Sequence, residues 1–310
     1  MILTITLNPA VDETLTVHQL QLGETNRIKE TEIDPGGKGL NVARVVKRLG
    51  RPCVAAMLLG GETGHFIRNR LEREGVDIAA VEIPEATRVN ISVLDESTGV
   101  QTNLNHEGPH ITPAELHALE ARIEEWLPET VVMAIGGSLP PGAPVDAYAH
   151  LIEWVRKDDV RTILDASGDA LVEGVKARPY MIKPNVREAE SLLGRTIGTD
   201  ADVVQAGKEL VAGGIEIAVI SMGSRGCIAV SGDGAWRAIS PEVRAETTIG
   251  AGDSLVAGLA IGTFEHSSLA DSLALGTAAA AATVMTHGTE LCRVEDVQAL
   301  LPRVKVERLQ

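Results

Sequence analysis

The chain has 310 residues, 44% hydrophobic and only 2% aromatic, with a formal net charge of −15 at pH 7. That length suits one large α/β domain or two ordinary ones, with a core of Ala, Val, Leu and Ile. The acidic balance argues against a nucleic-acid surface and an electrostatic membrane surface, so local cations must hold any anionic ligand.

No apolar run approaches the roughly 18 residues of a membrane span. The three cysteines, Cys53, Cys227 and Cys292, are scattered without metal-ligand spacing, which fits reduced thiols in a cytoplasmic protein. The opening MILTITLNPAVDETLTV lacks a basic region and reads as a strand, not a targeting segment.

In chain order, alternation over 2–7 predicts a strand stopped by Asn8-Pro9. Segments 14–20 and 26–33 alternate as half-exposed strands about a turn at Gly23. Helical spacing over 40–49 follows PGGKG, then come a strand at 53–59, a helix at 63–74 and a polar hairpin at 89–105. Further helices are expected at 113–126, 145–157, 187–193 and 203–211, and further strands at 131–135, 162–165, 180–182, 217–221 and 227–230. The C-terminal third reads as largely helical, including a buried Ala-rich helix at 277–285.

Alternating strands and helices imply a mostly parallel sheet covered on both faces, an α/β/α sandwich. The early polar strands do not fit it. They suggest a small β-sheet lid, built from about 10–34 and 88–107 and inserted in a single domain over 1–310.

Four glycine-bearing or helix-opening elements carry the chemistry. In Gly250-Ala251-Gly252-Asp253, small residues let successive N–H groups converge on an anion at a helix N-terminus. An ionised carboxylate there suits a base that takes a proton during phosphoryl transfer, or it simply caps the helix. Pro35-Gly36-Gly37-Lys38-Gly39-Leu40-Asn41 also opens a helix, with a cation and an amide fit for a sugar or its phosphate, or it is a tight turn.

In Lys183-Pro184-Asn185-Val186-Arg187-Glu188, Asn185 and Glu188 share a helix face. They suit Mg²⁺ carried by a nucleotide, or a capping box, or both. Ser221-Met222-Gly223-Ser224-Arg225-Gly226 lies at the carboxyl edge, where open sheets bind ligands, or is a plain hairpin turn. Asp12, Arg88, Asn90 and the Gly136–Gly142 run are further polar or wall-forming candidates.

One other string misleads. His106-Glu107-Gly108-Pro109-His110 spells a zinc-protease motif, but Gly108 and Pro109 forbid the helix it requires. Neither a P-loop nor a dinucleotide fingerprint is present.

In this order, NPAVD, PGGKGLN, GGSLPPG, KPNVREAE, SMGSRG and TTIGAGDS resemble the phosphofructokinase-B branch of the ribokinase family, over essentially the whole chain. Within it the chain is most similar to 1-phosphofructokinases and tagatose-6-phosphate kinases. The branch's 6-phosphofructokinases tend to carry Gly where this chain has Lys38.

The resemblance implies a ribokinase-like fold whose lid often mediates dimers. It also implies ATP, Mg²⁺ and a sugar-phosphate acceptor, most simply fructose 1-phosphate, with a monovalent cation as an optional addition. It makes Asp253 the catalytic base and Gly250, Ala251 and Gly252 the anion hole. Asp12, Gly37, Lys38, Asn41, Arg88, Asn90 and Ser138 would surround the sugar phosphate, with Arg27 on the second lid strand as a further phosphate ligand. Lys183, Asn185, Ser221, Gly223 and Gly226 would face the nucleotide, and Glu188 its metal through water. A non-catalytic sugar-phosphate sensor remains the remote alternative.

Overall fold

The computed structural model describes residues 1–309. Its strands in chain order are β1 (Ile2–Thr6), β2 (Ala10–Val17), β3 (Ile28–Gly36), β4 (Cys53–Leu59), β5 (Asp77–Glu82), β6 (Arg88–Asp95), β7 (Val100–Leu104), β8 (Val132–Gly136), β9 (Arg161–Asp165), β10 (Met181–Ile182), β11 (Ile217–Ser221), β12 (Cys227–Ser231), β13 (Gly234–Ile239) and β14 (Lys305–Leu309). The helices are α1 (Lys38–Arg48), α2 (Gly61–Arg73), α3 (Pro113–Glu124), α4 (Ala147–Val155), α5 (Gly168–Lys176), α6 (Val186–Leu193), α7 (Asp200–Ala212), α8 (Ala251–Phe264), α9 (Leu269–Thr283) and α10 (Val294–Leu300).

Ten strands form the main sheet in the order β14-β13-β12-β11-β10-β9-β8-β1-β4-β5. Pairing is parallel from β11 to β5 and antiparallel from β11 out to β14. Successive side chains of a strand point to opposite faces, so each strand feeds two cores. Leu3 and Ile5 join α3, α4, α5, α6 and α7 on one face; Ile2, Cys53, Ala55 and Met57 join α1, α2, α8, α9 and α10 on the other. The expected three-layer arrangement is therefore present. No helix among the described residues is long and apolar enough to cross a membrane.

Helix α8 has no polar stripe because it has no solvent face: Asp253 through Thr263 are all buried. Its neighbour α9 lies backbone to backbone against it. A Cβ on Gly258 would stand 2.3 Å from Gly276 Cα.

The small sheet, in the order β3-β2-β6-β7, is built from the two polar segments that did not fit the main alternation. Register places Glu13, Ile33, Ile91 and Leu104 in one row and Leu15 and Val93 in the next, on one face. Ile33 and Leu104 are about half exposed there, at 47% and 57%. The opposite face carries Asp12, Asp34 and Asn90, and Asp34 Oδ2 accepts a hydrogen bond from Thr289 Oγ1 of the main body at 3.0 Å. β2 begins at Ala10, straight after Asn8-Pro9, four residues earlier than its alternation suggests.

Candidate active site

Two helices with glycine caps converge below the small sheet. Helix α1 starts after Gly37, at φ 126°, and α8 after Gly250, at φ 75°. Both values belong to backbone that glycine adopts without steric cost. Neither cap residue supplies a side-chain hydrogen bond. The first N–H groups of α8 therefore keep the donor capacity that a capping side chain would take up.

Asp253 sits in the first turn of α8, and its Oδ2 accepts from Asn41 Nδ2 at 2.8 Å. Asn41 is one turn into α1, on the same face as Lys38. Burial pushes the Asp253 carboxyl up to about 6; the nearby Asp165 charge adds to this, while Lys38, Asn41 and Lys183 oppose it. The group is thus ionised at neutral pH yet more basic than an exposed aspartate.

The residue missed by sequence reasoning is Asp165, the last residue of β9. It is buried between two lysines: Lys38 Nζ donates to Oδ1 at 2.9 Å, and Lys183 Nζ lies 3.3 Å from Oδ2. Burial alone would raise its carboxyl, but Lys183 and Lys38 reverse the sign and hold it below the usual carboxylate range. Its signal was a charged residue closing an apolar strand at the carboxyl edge of a parallel sheet. From sequence alone it marks only the end of the strand expected at 162–165.

Lys183 does not line the nucleotide-side cavity. It is buried beside α8, where a Cβ on Gly252 would stand 3.5 Å from its Nζ. Lys38 and Arg88, grouped by sequence around one phosphate, have separate partners. Arg88 donates to His106 O at 2.7 Å, Asn8 O at 2.9 Å and Ser138 Oγ at 3.3 Å.

Beside it, Asn90 Nδ2 donates to Asp12 Oδ1 at 2.9 Å across β6 and β2. Burial raises the Asp12 carboxyl, with the Asn90 hydrogen bond opposing. Arg27 lies just before β3, not on it, and is exposed. Residues 105–110 are irregular, and Gly108 N–H donates to His106 Nδ1 at 3.0 Å.

On the far side of α8 a cavity of about 500 Å³ is lined by Asn185, Ser221, Gly223, Gly226, Ala251 and Gly252. Its lining also includes the apolar residues Val243, Leu255, Ala280 and Val284. Asn185 and Glu188 form a reciprocal capping box at 2.8 and 2.9 Å. Asn185 nonetheless faces the cavity, so capping and ligand contact are compatible.

A model of the pfkB carbohydrate kinase family matches residues 5–296. The chain belongs to this family. It is 37% identical over 309 residues to a 1-phosphofructokinase of Rhodobacter capsulatus, covering 99% of this chain and 98% of that one. The 1-phosphofructokinase of Bacillus subtilis is 34% identical over 309 residues, covering 100% of both. Among solved structures, phosphofructokinase-2 from Escherichia coli in complex with potassium superposes with a TM-score of 0.91 at 32% identity, covering 97% of this chain and 98% of that one.

Proposed function

We propose that this carbohydrate kinase is a 1-phosphofructokinase, transferring the γ-phosphoryl group of ATP to fructose 1-phosphate. The observation that carries the reading is the position of Asp253. It stands at an uncapped helix N-terminus whose Ala251 and Gly252 line the 500 Å³ cavity, and it accepts from Asn41 of α1, the helix that follows β3 of the small sheet. Full-length similarity to 1-phosphofructokinases supports the choice of acceptor.

ATP occupies the cavity, its base against the apolar wall and its phosphates toward Gly250, Ala251 and Gly252. Ser221, Gly223, Gly226 and Asn185 flank it, and Lys183 approaches from beneath. The acceptor lies under the small sheet, with Asp12, Asn90, Asn41, Gly37 and Ser138 around its hydroxyls and Arg88 at its phosphate. Asp253 takes the proton of the attacking hydroxyl while α8 stabilises charge on the phosphoryl group. The small sheet acts as a lid of one domain spanning 1–310 and excludes water, so the phosphoryl group reaches the sugar and not solvent.

Mg²⁺ fits hard oxygen donors few in number, as at Asn185 and Glu188, and when bound with the nucleotide it neutralises phosphate charge. Among the described residues no group of three or more His, Cys, Asp or Glu side chains forms a metal cage, which suits a metal that arrives with its nucleotide. A monovalent cation and Arg27 as a phosphate ligand belong to the same reading. So do residence in the cytoplasm and a homodimer built on the apolar lid face of Leu15, Ile33, Ile91, Val93 and Leu104.

A coupled assay decides the acceptor, with ATP and fructose 1-phosphate, tagatose 6-phosphate or fructose 6-phosphate in parallel. Fructose 1-phosphate is expected to give the highest kcat/KM. The likeness to a phosphofructokinase-2 makes fructose 6-phosphate the second reading, and a preference for it would replace the first.

A further inference from the structure

We propose that Lys38 acts on the phosphoryl group in transit and not on the acceptor's own phosphate, and that Asp165 is the residue that positions it there. The inference rests on the kinase reading above and names a further catalytic residue for it.

Three observations place Lys38 at the reacting end. Its Nζ is turned to Asp165, and the same carboxylate faces Lys183, whose Nζ approaches the first turn of α8. One turn along α1, Asn41 grips Asp253 itself, so one face of α1 presents a cation and an amide to the same place. Arg88 is committed elsewhere, to His106, Asn8 and Ser138 at the edge of the small sheet. The phosphate of the acceptor and the phosphoryl group in flight thus meet different cations.

Accessibility separates the two lysines. Lys183 is 5% exposed and locked in place, whereas Lys38 is 34% exposed and its head can reach a ligand. A lysine at the first position of a helix opposes the helix dipole, an arrangement that costs stability unless an anion lies nearby. Asp165 supplies that anion at rest. During transfer the acceptor oxygen forms a bond to the γ-phosphorus and the bond to the β,γ-bridging oxygen breaks. The electron pair leaves with ADP, and the hydroxyl proton passes to Asp253. Lys38 keeps its proton throughout and contributes only charge stabilisation.

The test separates binding from turnover. Fructose 1-phosphate and ATP affinities are measured singly by calorimetry for the wild type, Lys38→Met, Asp165→Asn and Arg88→Met, followed by steady-state kinetics. Lys38→Met is expected to lower kcat by about 10²-fold or more, the cost of removing one preorganised donor, while the Kd for fructose 1-phosphate stays within threefold. Arg88→Met is expected to do the opposite, raising that Kd at least tenfold. Lys38→Arg, which keeps the charge, is expected to restore part of kcat.

Asp165→Asn is expected to lower kcat. It should also move the acid limb of the kcat/KM profile to lower pH, because it removes the charge that adds to burial in raising Asp253. A merely structural loss would leave that limb where it is. Lys38→Met with near-normal kcat and a tenfold weaker Kd for fructose 1-phosphate overturns the assignment while leaving the kinase reading intact. A wild type inert toward all three sugar phosphates overturns the kinase reading and this inference with it.

Discussion

Helices α7 and α8 both carry an aspartate at their third position, and the two aspartates do opposite things. In α7, Thr199 accepts from Asp202 N–H at 3.2 Å while the Asp202 carboxylate accepts from Thr199 N–H at 2.9 Å, closing a capping box. Hydrogen bonds from Thr199 and Gly198 hold that carboxyl below its ordinary value. In α8 the cap is Gly250, so nothing folds back, and Asp253 is buried, turned to Asn41 and pushed up to about 6. Helix position alone is therefore a poor guide to role. What distinguishes a base from a cap is whether the helix's own donors occupy the carboxylate.

The comparison breaks most sharply on exchange of the two side chains for amides. Asp253→Asn is expected to lower kcat by roughly 10²–10⁴ with little change in substrate affinity, whereas Asp202→Asn leaves turnover near normal. Equal turnover of the two variants would end the distinction.

Next comes pH. The ionised form is the base, so kcat/KM is expected to fall as pH drops through about 6. The slope should be about tenfold per unit, as for a single proton. A flat profile from pH 7 to 5 would assign the proton elsewhere. Asn41→Ala removes a hydrogen bond that favours the ionised carboxyl, so its profile should shift to higher pH. The smallest effect is Thr199→Ala, expected to cost about 0.5–2 kcal/mol by denaturant melt with kcat unchanged.

The sequence disclosed the alternation, the inserted polar strands and the order of the motifs because each rests on local pattern. It hid β5, α5, β13 and β14 for physical reasons. β5 is a short edge strand of mixed burial, and α5 is nine residues long and opens on Gly168. β14, KVERL, gains its strand character only from its antiparallel partner β13, some seventy residues away in the chain. Asp165 stayed hidden because its two lysines come from positions 38 and 183, a grouping that only the sheet order creates. Arg27, expected on the second lid strand, lies one residue before it, since β3 begins at Ile28.

The seam between α8 and α9 has a consequence for engineering. At Gly258 there is no side chain to yield, only main chain against main chain. A single added methyl must tilt the whole rod, and residue 250 lies about 12 Å up the same axis at 1.5 Å per residue. Directed-evolution campaigns on this scaffold should find that innocuous-looking alanines in the heart of the helix pair extinguish catalysis, though no ligand comes within reach of them.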